Sequence, residues 1–235
     1  GETFDAKMRP PNAALLMRMA LYLAAAPLRS NSSMLLTVIP WSCCYTKSGS
    51  IRTQRRQPCR WRLATARVAA CSCSRAGLSR GYSSRMRNNP IIVQKYGGAC
   101  LETPAKIRAV ASSLADLHRR GHRVVAIVSA MGKTTDELVR MAYQVSPHPN
   151  RRELDMLLTT GERISMSLMS MALSDLGVPA ISFTGSQAGV MTDESHSSAR
   201  ILDVRPTRVR EELDRGRIVV LAGFQGVNPV TREIT

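Results

Sequence analysis

From Ile91 onward, short apolar runs alternate with amphipathic stretches along the chain. Ile91-Ile92-Val93 continues through Gln94-Lys95-Tyr96 into Gly97-Gly98, which predicts a buried strand entering a tight turn. A helix follows. Thr103 suits the N-cap and Pro104 the first helical position, after which Ile107, Val110, Leu114 and Leu117 recur at helical spacing until Gly121. The β-branched run from Val124 to Ser129 predicts a second buried strand, and Ala130-Met131-Gly132-Lys133-Thr134-Thr135 a turn. Asp136-Glu137 then open a helix carrying Leu138 and Met141, with both acids at its positive end. Arg151 to Leu176 reads as a helical hairpin broken around Thr159-Thr160-Gly161. Leu154, Leu157 and Leu158 are expected in the core on its first arm, and Ile164, Leu168 and Met171 on its second. Met166, Met169 and Met171 read as core filler. Ala180–Phe183 and Ile218–Ala222 predict strands, Val190-Met191-Thr192 and Ile201-Leu202 short β-like runs, and Pro206 a helix through Val209 and Leu213 that Gly216 caps. The alternation of strand and helix predicts an α/β sandwich with a mainly parallel sheet.

Residues 1–88 show few such periods, and the charge follows the same division. The formal net charge of +16 suggests nucleic acid until it is located. Residues 1–88 hold 15 Lys and Arg against Glu2 and Asp5, a balance of +13; residues 89–235 hold the other 18 against 15 acids, a balance of +3. Cys43, Cys44, Cys59, Cys71 and Cys73 fall in the first part and only Cys100 in the second. Residues 1–88 therefore read as an irregular or disordered basic extension, and residues 89–235 as an ordinary globular domain. Ala13 to Ala26 is apolar but interrupted by Arg18 and too short to span a membrane; with Ala24-Ala25-Ala26-Pro27 after it, it resembles a signal-peptide core. Three readings of the extension stand side by side: translation upstream of a start at Met86, a cleaved targeting presequence, or a basic or cysteine-based binding arm. No paired CxxC, histidine at ligand spacing or interleaved aromatic supports the third. A cytoplasmic location is expected, or an organelle if the extension is a presequence.

The chemistry sits at the ends of the predicted strands. Successive amides in a glycine turn form a concave anion site, and Lys95 adds a compact positive charge, so strand, Gly97-Gly98, lysine and helix start together suggest a phosphate site. Gly132-Lys133-Thr134 is not a Walker-type loop, because that motif needs a glycine where Ile127 stands; Lys133 reads as a solvated turn lysine. Glu162, just after a glycine, is either a simple helix-terminal charge or a ligand-binding group. His196 reads as a solvated loop histidine. Ligands in parallel sheets sit beyond the carboxyl ends of the strands, and Lys95-Tyr96-Gly97-Gly98, Ser129, Thr184-Gly185 and Gly223-Phe224 all lie at such ends.

The segments KYGG, SAMGKTTDEL, LDMLLTTGERIS, FTGSQAGVMTD, ARILDV and AGFQGV, in this order from Ile91 to Thr235, resemble the aspartate kinases. The resemblance implies a partial three-layer α/β/α sandwich of the amino-acid-kinase fold. It also implies transfer of the ATP γ-phosphoryl group to the side-chain carboxylate of L-aspartate, with Mg2+ accompanying ATP, at the head of lysine, threonine and methionine synthesis. By the same resemblance, Lys95 is catalytic and binds ATP together with Tyr96, Gly97 and Gly98. Ser129, Thr135, Gly223 and Phe224 line the aspartate pocket, and Glu162 holds the substrate ammonium. The family places Ser or Thr where this chain has Ala99, and a Gly-Arg-Gly-Gly-Ser-Asp loop beyond the Arg232-Glu233-Ile234-Thr235 end. The nucleotide half, most metal contacts and the regulatory domains are expected beyond that loop. The alternative is a non-catalytic fragment holding part of the aspartate site. A homo-oligomer is expected of the full-length form, without a nucleic-acid or membrane partner.

Overall fold

The structure is a computed structural model that describes residues 91–235 and, before them, the backbone of Met34–Val38. The expectations resting on Ala13 to Ala26 and on the five early cysteines lie outside the described residues.

A five-stranded sheet forms the middle layer. Its strands are β1 (Met34–Val38), β2 (Ile91–Tyr96), β3 (Arg123–Val128), β7 (Ile218–Ala222) and β4 (Ala180–Phe183), in that spatial order. Every neighbouring pair is parallel, and the central strands β3 and β7 are buried along their whole length, as parallel strands covered on both faces are. Val93, Val124, Val125, Ala126, Val128, Val219 and Val220 are fully enclosed. Strand β1 lies inside the stretch expected to be irregular, with Met34 opposite Ile91 and Val38 opposite Lys95. Met34-Leu35-Leu36-Thr37-Val38 is itself a short apolar run with a β-branched end, and β2 offers it a free edge to pair with.

Helix α1 (Pro104–Arg119) starts as its sequence dictates: Thr103 Oγ1 accepts from Lys106 N, Pro104 occupies the first position, and Gly121 at φ +88° ends the helix. Ile107, Ala111, Leu114 and Ala115 face the sheet. Helix α2 (Thr134–Val145) has its acids in the first turn, but it buries only Leu138, and Met141 is exposed. Helix α3 (Arg151–Asp175) is continuous, not the expected hairpin. Thr159 and Thr160 stay within it, each hydroxyl donating to a carbonyl three residues back, on Met156 and Leu157. Its buried stripe also differs from expectation. Asp155, Thr159, Glu162, Met166, Met169 and Leu173 face inward; Leu154, Leu157, Leu158 and Leu168 are half-buried, and Ile164 and Met171 are exposed.

The second face of the sheet carries helix α4 (Thr207–Asp214) and an antiparallel pair, β5 (Val190–Thr192) with β6 (Ile201–Val204). Two apolar clusters result. Tyr96, Leu101, Leu114, Met169, Leu173 and Val220 pack on the α1 and α3 side, and Val93, Phe183, Val190, Val209, Leu213 and Leu221 on the α4 side. This is the three-layer α/β/α sandwich that the resemblance implied. Residues 226–235 extend the smaller sheet through bridges Met191 to Val227 and Val227 to Ile234. Among the described residues no helix is long and apolar enough to cross a membrane.

Candidate functional site

Because the strands are parallel, all their C-termini lie along one edge. The register places Tyr96, Val128 and Ala222 side by side, so Gly97, Ser129 and Gly223, the next residues along, stand in a row at that edge. Two turns interlock there. Ser129 N donates to Tyr96 O at 3.1 Å, Gly132 N to Gly98 O at 3.0 Å, and Gly223 N to Val128 O at 2.9 Å. Residues Gly98–Cys100 form a 3-10 turn. A Cβ on Gly98 would sit 2.8 Å from Ala130 O and 2.9 Å from Gly132 O, so glycine is required by the close approach of two backbones.

Side chains reach this edge from both faces. Lys95 has the parity of Ile91 and Val93 and therefore projects on the α4 side. It is half-buried, and burial lowers its pKa. Glu162 comes from the other face, on α3, with 5% of its surface exposed. Ala130 N donates to its Oε1 at 3.3 Å. Burial raises the Glu162 pKa to about 7, against the opposing pull of the backbone hydrogen bonds. The glycine before it explains how α3 comes so near: a Cβ on Gly161 would lie 2.9 Å from Ala130 Cβ, with Leu138 and Thr134 of α2 just beyond. The first turn of α2 thereby meets α3 at Gly161 through Thr134, and Thr135 beside it is half-buried.

The remaining expected residues divide. Phe224 is left-handed at φ +54° and 44% exposed at the end of β7. For a bulky residue this conformation costs on the order of 1–3 kcal/mol and is typical of functional turns. Tyr96 is different: its ring is in the core and its hydroxyl donates to Gln94 Oε1 at 2.7 Å, which leaves the Tyr96 backbone facing the edge. Lys133 is exposed, as expected of a turn lysine. His196 is not simply solvated. Its Nδ1 lies 3.0 Å from Asp155 Oδ2, and Ser197 N donates to the same carboxylate at 3.0 and 3.2 Å. Asp155, Ala130 and Gly161 were missed as site-building residues. The one signal for them was a polar Asp155-Thr159-Glu162 stripe at core spacing on a helix.

Glycine turns, a half-buried lysine and a buried carboxylate meet at the carboxyl edge of a parallel sheet, where α/β proteins place their ligand sites. The model of the amino acid kinase family matches residues 90–234, and the chain belongs to that family. Within it, the chain's relatives are aspartokinases. That of Corynebacterium glutamicum is 57% identical over 145 residues, 62% of this chain and 34% of the relative. That of Geobacillus stearothermophilus is 52% identical over 145 residues, 62% of this chain and 35% of the relative. The crystal structure of aspartate kinase from Synechocystis superposes with a TM-score of 0.52 at 46% identity, over 62% of this chain and 23% of that one. E. coli aspartokinase III in complex with aspartate and ADP shares the fold, with a TM-score of 0.54 at 16% identity over 62% of this chain and 43% of its own. The chain thus spans about a third of the length of the curated relatives it matches.

Proposed function

We propose that residues 91–235 form the acceptor-binding part of an aspartate kinase, which moves the γ-phosphoryl group of ATP to the side-chain carboxylate of L-aspartate and yields 4-phospho-L-aspartate. The observation that carries this reading is Glu162, a carboxylate buried at the strand mouth and facing the Ala130 amide between Ser129 and the glycine turns. Ionised, it pairs with the substrate ammonium, while Ser129, Thr135, Gly223 and Phe224 shape the pocket. Lys95 and the Gly97-Gly98 backbone meet the phosphates from the opposite side, where positive charge offsets what develops during an in-line displacement. Lys95 and Glu162 project from opposite faces of the sheet, which supports a reading with donor and acceptor on either side of its edge. Among the described residues no group of three His, Cys, Asp or Glu side chains could hold a metal, and in this reading Mg2+ arrives with ATP. The product would feed lysine, threonine and methionine synthesis.

A second reading, for these residues by themselves, is binding of L-aspartate without turnover. Calorimetry with L-aspartate, together with trapping of aspartyl phosphate as hydroxamate, tests both. The acceptor reading expects binding of L-aspartate, none of N-acetyl-L-aspartate, and its loss in Glu162→Gln. Equal binding of the acetylated compound overturns it. Hydroxamate formed by this chain excludes the second reading.

A further inference from the structure

Resting on the acceptor reading above, we propose that Asp155 is a positioning residue for the acceptor pocket: it holds residues 193–198 as a strap across the mouth, between α3 and the turn after β7.

The strap has a fixed base. Asp193 N donates to Arg200 O at 3.0 Å, and Asp193 Oδ1 accepts from Ser195 N and Arg200 N, closing the loop on itself. That base adjoins the wall formed by Gly223-Phe224-Gln225-Gly226. Thr192 N donates to Val227 O at 3.0 Å, and a Cβ on Gly226 would stand 2.5 Å from Thr192 Cγ2. The tip reaches the opposite wall. On α3, Asp155 takes His196 Nδ1 at 3.0 Å, Ser197 N at 3.0 and 3.2 Å, and Ser197 Oγ at 3.4 Å. Ser197 adopts φ +65° there, a conformation disfavoured for serine that points its amide at the carboxylate.

Asp155 and Glu162 are seven residues apart on one buried face of α3, about 10 Å along the axis. The carboxylate that grips the strap and the carboxylate assigned to the substrate ammonium are thus carried by one rigid rod. A second tie runs parallel to the first: Arg152 Nε donates to Glu233 Oε2 at 2.6 Å, fastening the terminal segment to the opening turn of α3. A buried carboxylate that spends its acceptors on a single loop holds that loop strongly, because charge-assisted bonds exceed neutral ones and the alternative leaves the charge unpartnered.

The test combines hydrogen exchange with L-aspartate calorimetry on the full chain and its Asp155→Asn variant. Exchange at Ser195–Ser198 is expected to rise about tenfold while β3 and β7 stay protected, and the Kd for L-aspartate to rise about tenfold, the size of one lost charge-assisted hydrogen bond. Bound L-aspartate should slow strap exchange in the unaltered chain. A strap that opens with no change in affinity overturns the positioning role, as does a strap whose exchange does not change. If Asp155→Asn also exposes β3 and β7, His196→Ala, which keeps the Ser197 bonds, replaces it with an expected threefold change in both readouts and the same two overturning results. If the unaltered chain binds no L-aspartate, the acceptor reading falls and takes this proposal with it. Exchange still reports whether Asp155 secures the strap, so the two failures are told apart.

Discussion

At the scale of single residues, burying Glu162 for the role proposed above comes at a cost in stability. Its folded pKa of about 7 lies above the ordinary 4.5, so between those values the folded chain binds more protons than the unfolded one. Stability must therefore fall as pH rises from about 4.5 to about 7, by roughly 3 kcal/mol if no ligand is present. Urea denaturation of Glu162→Gln across that range should show a flatter pH profile and a more stable protein at pH 8, since the amide loses no proton. An unchanged slope would mean that another group sets it. The binding of L-aspartate should strengthen over the same interval, because only the ionised carboxylate pairs with an ammonium group. Stability and ligand binding then respond to pH in opposite senses at one side chain.

At the scale of elements, α3 determines the shape of the site. A 25-residue helix with glycine near its middle gives up about 1 kcal/mol of propensity at Gly161. In return its backbone approaches the turn after β3, which places the Ala130 amide against Glu162. Gly161→Ala should destabilise the chain by about 1–2 kcal/mol despite its better propensity, because its Cβ would meet that of Ala130 at 2.9 Å. Combining it with Ala130→Gly should restore more than the two single effects sum to. Denaturation of the four forms measures this coupling, and additive effects would place the constraint elsewhere. The same contact explains why the second arm expected for a hairpin never separates: α1, α2 and the sheet pack along a single axis.

At the scale of the molecule, the extension and the domain are joined through an edge strand. Met34–Val38 covers the side of β2 that ends in Lys95 and the glycine turn. Unpaired strand edges invite association. Removing residues 1–88 lowers the formal charge from +16 to +3, so retention on a polyanion column should be lost. The same deletion should speed amide exchange in Ile91–Tyr96 and promote self-association at high concentration. Retention that survives the deletion would locate the anion affinity in the globular domain, and unchanged exchange in β2 would show that its edge needs no cover.

Local physics made much of this protein legible in its sequence. Ile218–Ala222 is a strand with the expected limits because a parallel strand buried on both faces must be apolar throughout, and Ala180–Phe183 keeps its limits as a half-buried edge strand. The Thr103-Pro104 start and Gly121 stop of α1 follow from backbone groups that need capping and from a left-handed residue that only glycine adopts freely. The row of Lys95, Gly97, Ser129, Gly223 and Phe224 was legible as strand ends. Tertiary structure decided the rest. A mid-helix glycine carries no local sign of whether it breaks a helix or admits a neighbour, and at Gly161 only the position of Ala130 settles it. Whether Tyr96 turns its ring to a ligand or to the core depends on Gln94 and on the α1 side of the sheet. His196 and Asp155 lie 41 residues apart, and no periodicity links them. Propensity and pattern act over a few residues, whereas a pocket is made by contacts between distant ones. The strand ends were therefore written in the sequence, and the walls that close around them were set by the fold.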